Sequence, residues 1–428
     1  MKIAFIVETW PSKNEIPLLN QVVEINKQGH DATTVFTFNS SSLGDPDLPA
    51  TLSENNLLQN INLLRRPALD GQNNRFLRRL KLIIKSIPIS MRTFIYSPTV
   101  LYKALFKKEF GEHKNAFKIV YAIQNLLGKE NKFDYIICQF APLGIWGAIL
   151  KNLGLLEGEL VTVFRGYGIN DLPRLKPNSF YDFLIENCHF FTSNTKFTKN
   201  SAIKLGFPAD KIHVVHSALN TNYYAYRERK YDKEETFEVL TIAALREVKG
   251  LEYAIKAVKI LVDAQPDLKI RYRIAGDGVL RDELGKLIKK CGLGQQVQLL
   301  GFVNHDEVAK LYEKAHLFVL PSIKTKGGNQ EAQGLVMQEA QACGVPVIGT
   351  RTGGIPEGFI DDQTGFLVNE KSDRDIADKI GRFLRSPELI PEFGKAGRSF
   401  VETNFDVENE SAKFLKILVD TQLASKNQ

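Results

Sequence analysis

The chain opens with Lys2-Ile3-Ala4-Phe5-Ile6-Val7, five apolar residues closed by Glu8. A run this short, bounded by charge, reads as a buried strand and not as the apolar core of a signal peptide. Within Glu15 to Gln28, apolar Ile16, Leu19, Val22 and Val23 share one helical face, Gly29 supplies a stop, and Ala32-Thr33-Thr34-Val35-Phe36 returns to strand character. The spacing predicts a β-α-β unit. Further strands are expected at Tyr135–Cys138, Val161–Phe164, Phe190–Thr192 and Ile212–Val215. A second series follows at Val239–Ala243, Tyr272–Ala275, Val297–Leu300, Leu317–Leu320, Val345–Ile348 and Gly365–Val368. Helical patterns of 10 to 15 residues separate strands of this kind when the sheets are parallel, and ligands then bind beyond the carboxyl ends of the strands.

Between the two series lies Arg227-Glu228-Arg229-Lys230-Tyr231-Asp232-Lys233-Glu234-Glu235, a charged stretch with almost nothing to bury, which reads as a linker. The expected division is an N-terminal domain over residues 1–225, a linker over 226–236, a C-terminal domain over 237–405, and a terminal helix over 406–428 that returns to the N-terminal domain. Two doubly wound α/β domains of Rossmann-like type, facing each other across a cleft, are the predicted architecture.

Composition narrows the function classes. At 428 residues, with 43% hydrophobic and 25% charged positions, the chain is a folded protein of more than one domain. Its four cysteines show no Cys-x-x-Cys and no His cluster at ligand spacing, so neither a disulfide framework nor a structural zinc site is expected. No run of about 18 apolar residues is present to cross a bilayer. These features fit a cytoplasmic protein.

Net charge is +7, yet residues 60–120 hold thirteen Lys or Arg against Asp70, Glu109 and Glu112. That segment alone is +10. Its cations alternate with large apolar residues, as in Phe76-Leu77-Arg78-Arg79-Leu80-Lys81-Leu82-Ile83-Ile84-Lys85. Two readings stand side by side: a helix lying on an anionic membrane surface, on its inner face, or a solvated basic face over an ordinary core. Nucleic acid is not an expected partner, because no helix-turn-helix, RNP or zinc-finger pattern accompanies the charge.

Two clusters carry the chemistry. After the strand ending at Leu320 comes a polar loop to Gln330, then Glu331, a helix start near Gly334-Leu335-Val336, and Glu339 more than a turn inside the helix. A glycine at a helix start lets a ligand approach unsatisfied N–H groups, which with the helix dipole form a phosphate site. One of these two carboxylates can then meet the group beyond the phosphates and the other a polyol on the nucleoside side, since a Glu that accepts from two vicinal hydroxyls is a ribose contact. The second cluster, Arg246 and Lys249 in Leu245-Arg246-Glu247-Val248-Lys249-Gly250, follows the first strand of the same series. Two cations there can neutralise a diphosphate in place of Mg²⁺. Each pattern alone is common on protein surfaces; their joint placement points to a nucleotide. Gly276-x-Gly278 lacks the third glycine of a dinucleotide fingerprint, which argues against a dehydrogenase. His316, ahead of Leu317-Phe318-Val319, reads as a satisfied histidine at the edge of the core.

The sequence resembles the retaining GT-B glycosyltransferases of family 4. The likeness rests on Glu331-x7-Glu339, the strand Gly344-Val345-Pro346-Val347-Ile348, the turn Gly353-Gly354-Ile355-Pro356-Glu357 and Gly276-Asp277-Gly278, all within residues 238–370. The long loop before Glu331 is most similar to the bacterial exopolysaccharide branch, that of colanic-acid and amylovoran transferases. The resemblance implies that Arg246 and Lys249 bind the donor diphosphate and that the amides of Gly334, Leu335 and Val336 hold it. It assigns Glu331 to the transferred sugar, Glu339 to the ribose, and the backbone near Phe302 and Val303 to the base. It also implies acceptor binding by the N-terminal domain, with a glycan or lipid-linked acceptor. The nucleoside diphosphate sugar enters as substrate, with no cofactor and no metal. Where relatives carry a His in His-Gly-Tyr-Asp, this chain has Arg165-Gly166-Tyr167-Gly168, and the His of a His-Phe-Ala segment is Gln139. Arg165 is either a clamp on the leaving phosphate or a buried structural cation. The rival activities are a sugar-nucleotide epimerase or hydrolase on this fold, and a non-catalytic protein that binds nucleotide sugar or membrane.

Overall fold

The computed structural model describes the chain apart from residues 13–14, 45–47, 49–50, 67–74, 107–109, 111–112, 114 and 427–428. Side chains at 42, 44, 75–79, 173–174, 178, 305–306 and 424–426 are likewise outside the described set. Seven strands form the first sheet: β1 (Lys2–Thr9), β2 (Asp31–Asn39), β3 (Ile61–Leu63), β4 (Lys132–Gln139), β5 (Glu157–Phe164), β6 (Phe190–Ser193) and β7 (Ile212–Val214). Six form the second: β8 (Phe237–Ile242), β9 (Ile270–Ala275), β10 (Val297–Gly301), β11 (Leu317–Leu320), β12 (Val347–Thr350) and β13 (Gly365–Val368). The orders are β3-β2-β1-β4-β5-β6-β7 and β10-β9-β8-β11-β12-β13. Every described strand pairing is parallel.

Both sheets therefore have the doubly wound order, and the order of strand addition reverses between β1 and β4 and between β8 and β11. Strands covered on both faces lack polar alternation, which is why they read as continuous apolar runs. In the second sheet Val239, Leu317 and Val319 pack into one cluster while Leu240, Phe318 and Leu320 pack into another, as a period of two requires. The expected two-domain α/β class is present. β3, three residues long, is an additional strand too short to show a period.

The chain divides into one unit of Met1–Ser193 with Lys199–Val214 and a second of Asn194–Thr198 with the residues from Val215 onward. The first unit thus closes at Val214 and not near residue 225, and the terminal helix Val407–Lys426 groups with the second. The stretch 226–236 has more to bury than its composition suggests. Arg229 is buried and donates to the Cys343 carbonyl at 2.9 Å and to the Glu313 carbonyl. Those oxygens end the helices Leu335–Ala342 and His305–Lys314, where a cation meets the negative end of the dipole. Tyr231 packs edge-on against Phe237, their centroids 4.8 Å apart. His316 accepts the Glu238 N–H on Nδ1 at 3.0 Å, and burial pushes its pKa down to about 4. It is a neutral histidine at the edge of the core.

Candidate functional site

At the reversal point of the second sheet, one loop leaves β8 and another leaves the adjacent β11, both at their carboxyl ends. Ile323 N–H donates to the Val248 carbonyl at 2.9 Å, joining the two loops. Gly250 has φ +56°, and a Cβ there would lie 2.2 Å from the Pro321 oxygen. Only glycine permits that approach. Its consequence is a contact between the two sequence clusters: Lys249 Nζ donates to Glu331 Oε2, with both side chains more than four-fifths covered. Arg246 sits at the start of the same turn in extended backbone, with its side chain exposed.

Glu331 is held from below by groups that spacing alone did not single out. Gly354 N–H donates to the Glu331 carbonyl at 2.9 Å, and a Cβ on Gly353, at φ +57°, would meet that carbonyl oxygen at 1.9 Å. The Thr195 hydroxyl donates to the Ala332 carbonyl at 3.0 Å, and the Gln330 amide to the Thr352 hydroxyl at 3.0 Å. Gln333 spans Ser217 with two bonds, 2.8 Å to its carbonyl and 3.1 Å from its N–H. Glu357 closes the turn by accepting the Lys196 and Phe197 N–H groups at 2.7 and 2.8 Å. The Gly-Gly-x-Pro-Glu turn was the visible signal, and its physical task is to seat the backbone of Glu331.

The helix Leu335–Ala342 begins where expected, with Gly334 in left-handed conformation at its N-cap. Its first N–H groups have no intrahelical partner. Glu339 lies on the second turn, where Oε2 accepts the Tyr312 hydroxyl at 2.9 Å. Burial pushes this carboxyl up to about 7, and hydrogen bonds from Tyr312 and Tyr224 work against that rise. The two glutamates therefore differ in kind: Glu331 is paired with a cation, and Glu339 is caged by two phenols. Beyond β10, Phe302 is 78% exposed, while Val303 packs against the cluster that contains Tyr224 and Tyr312.

In the first unit, Arg165 follows β5 and lies 3.7 Å from Glu15, with side chains 14% and 28% exposed. Burial lowers the guanidinium's pKa and raises that of Glu15, and their mutual attraction opposes both shifts. Gln139, at the end of β4, is buried with no partner for either amide atom among the described residues, and Asn170 is in the same condition. The structure thus joins Lys249 to Glu331, places Arg246, Gly334, Leu335, Val336, Glu339, Phe302 and Val303 in the same second unit, and places Arg165 and Gln139 in the first. Among the described residues no group of three His, Cys, Asp or Glu is arranged to hold a metal ion.

The family model for glycosyl transferases group 1 matches residues 225–400, the region that holds both loops. Over 326 residues the chain is 31% identical to WcaL of Escherichia coli (strain K12), named for colanic acid biosynthesis, covering 74% of this chain and 78% of that one. The chain belongs to the group 1 glycosyltransferases. The amylovoran biosynthesis glycosyltransferase AmsK of Erwinia amylovora is 26% identical over 407 residues, 95% of this chain and 96% of its own. Among solved structures, Anabaena Alr3699/HepE in complex with UDP and glucose superposes with a TM-score of 0.67 at 16% identity, covering 98% of this chain and all of that one. Sucrose-phosphate synthase of Thermosynechococcus elongatus gives 0.67 at 17% identity, over 99% and 100%. The shared fold is GT-B.

Proposed function

We propose that this glycosyltransferase is a retaining, metal-independent enzyme that moves a hexose from a nucleoside diphosphate sugar to a glycan or lipid-linked acceptor in exopolysaccharide, capsule or lipopolysaccharide synthesis. Relatives named for colanic acid and amylovoran biosynthesis support the pathway class. The observation that carries the reading is the Lys249–Glu331 pair beside the open helix start at Gly334, at the point where ligands bind in doubly wound sheets.

Arg246 and Lys249 meet the donor diphosphate, and the amides of Gly334, Leu335 and Val336 complete its cradle. Diphosphate charge draws Lys249 from Glu331, which frees that carboxylate to accept hydroxyls of the transferred sugar. Glu339 accepts the ribose hydroxyls, and the base lies against the backbone at Phe302 and Val303. As the bond from the anomeric carbon to phosphate oxygen breaks, the acceptor oxygen attacks that carbon from the same face. The acceptor's proton passes to the departing phosphate oxygen, so no separate base is needed. Arg165 and Gln139 stand in place of the family's usual histidines, with Arg165 as an anion clamp. The basic segment 60–120 draws the enzyme to the cytoplasmic, anionic face of a membrane, where a lipid-linked acceptor resides.

UDP hexoses are the first donors to test, since the structural neighbour was crystallised with UDP and glucose. Release of UDP and transfer to a lipid-linked acceptor are measured with and without EDTA. Transfer that persists in EDTA and keeps the donor's anomeric configuration is expected. Free sugar only, an epimerised nucleotide sugar, or binding without turnover would replace the proposal by the hydrolase, epimerase or binding-protein reading in turn.

A further inference from the structure

The helix Arg75–Tyr96 in the first unit has two apolar faces, and among the described residues only one of them is packed against the core. Leu82 is buried and Ile89 packs against the core, while buried Ser86 and Thr93 on the same side bond the Ile83 and Ile89 carbonyls at 2.8 and 2.7 Å. The opposite side carries Ile84, Ile87, Met91, Phe94 and Ile95, each between 52% and 76% exposed. Their spacing of three and four keeps them on one stripe. A solvated face would place polar residues there. Lys81, Lys85 and Arg92, four and seven residues apart, run along one margin of that stripe, and the Arg92 guanidinium lies over the Tyr96 ring at 5.5 Å. From Arg75 to Phe106 the sequence has seven Lys or Arg and no Asp or Glu. The next helix, Pro98–Phe106, exposes Tyr102 and Phe106 as a ring pair with centroids 5.3 Å apart.

We propose that this stripe is an in-plane membrane anchor that seats its apolar side chains among the acyl chains of an anionic leaflet, with Tyr102 and Phe106 at the headgroup level. The proposal rests on the membrane reading given above and changes its physics from attraction alone to attraction followed by insertion. Charge selects the occupant: a margin of cations with no acid among them suits anionic lipid and disfavours a second, equally basic copy of the same helix. No described helix is long and apolar enough to cross a membrane, so the helix lies along the surface.

The full-length protein is sedimented with vesicles of phosphatidylcholine alone or mixed with phosphatidylglycerol, at low and high salt. Wild type is expected to bind only the anionic vesicles and to keep a bound fraction at high salt. The triple change Ile84→Gln, Met91→Gln and Ile95→Gln should lower partitioning by roughly tenfold or more and remove the salt-resistant fraction. Lys81→Gln, Lys85→Gln and Arg92→Gln together should weaken low-salt capture. Met91→Trp supplies a gain of signal: the emission of the introduced indole should shift to the blue and be quenched by brominated anionic lipid. Undiminished salt-resistant binding by the apolar variant, an introduced indole that brominated lipid leaves unquenched, or a lipid-free dimer that the apolar variant dissolves would each overturn the anchor. UDP release in solution is read in parallel, because its loss with anchoring intact would count against the transferase reading and leave the anchor standing.

Discussion

Glu339 shows how one side chain's surroundings set a measurable pH dependence. Its carboxyl titrates near 7 in the fold, against 4.5 as the ordinary value, because burial penalises the charge. Between those values the folded chain holds a proton that the unfolded chain has released. This group's contribution to stability is therefore complete below about pH 4.5 and is lost as pH rises through about 7. Ribose hydroxyls donate more strongly to the carboxylate than to the acid, whose one O–H is a donor, so nucleotide affinity should climb across the same window and then level off. Calorimetric titration of UDP from about pH 5 to 8.5 checks this, with Glu339→Gln as reference, since it removes the protein's titration and leaves that of the phosphate. A difference curve without slope would show that Glu339 does not meet the ribose. Glu331→Gln, by contrast, should leave UDP affinity nearly intact and lower turnover by misplacing the sugar. Equal losses of UDP affinity in both variants would contradict the division of roles.

At the scale of elements, the loops after β8 and β11 are positioned by close backbone approach, and only part of that is legible in the sequence. Gly353→Ala would drive a methyl into the Glu331 carbonyl from a left-handed position, a conformation that costs an ordinary residue about 1–2 kcal/mol before any clash. Tm should fall by several degrees, at roughly 2–4 °C per kcal/mol for a unit of this size, and turnover should fall with it. Unchanged stability and turnover would mean that the turn does not seat Glu331. The strands were legible because burial on both faces gives continuous apolar runs, and Gly334 and Glu331 because a helix start beside a strand end leaves a local mark. Thr195, Gln333 and Ser217 were not legible. Their roles come from bonds between segments more than a hundred residues apart, and Thr, Gln and Ser carry no pattern of their own. Arg229 was misread for a related reason. A charged stretch reads as solvated, yet one guanidinium in it caps two helix ends.

For the molecule as a whole, two doubly wound units divide the labour in this reading: the second holds the donor, and the first carries the acceptor side and the basic helix. Charge follows that division, since the +10 segment lies entirely in the first unit while the whole chain is only +7. The donor half can be judged without lipid. A panel of UDP hexoses is incubated with wild type, Lys249→Ala and Arg246→Ala in EDTA, and UDP release is followed as kcat/KM. At least one donor should turn over, with each substitution lowering kcat/KM by roughly tenfold to a thousandfold while the fold is retained. Wild-type turnover in both variants would remove these cations from the diphosphate site and contradict the central claim.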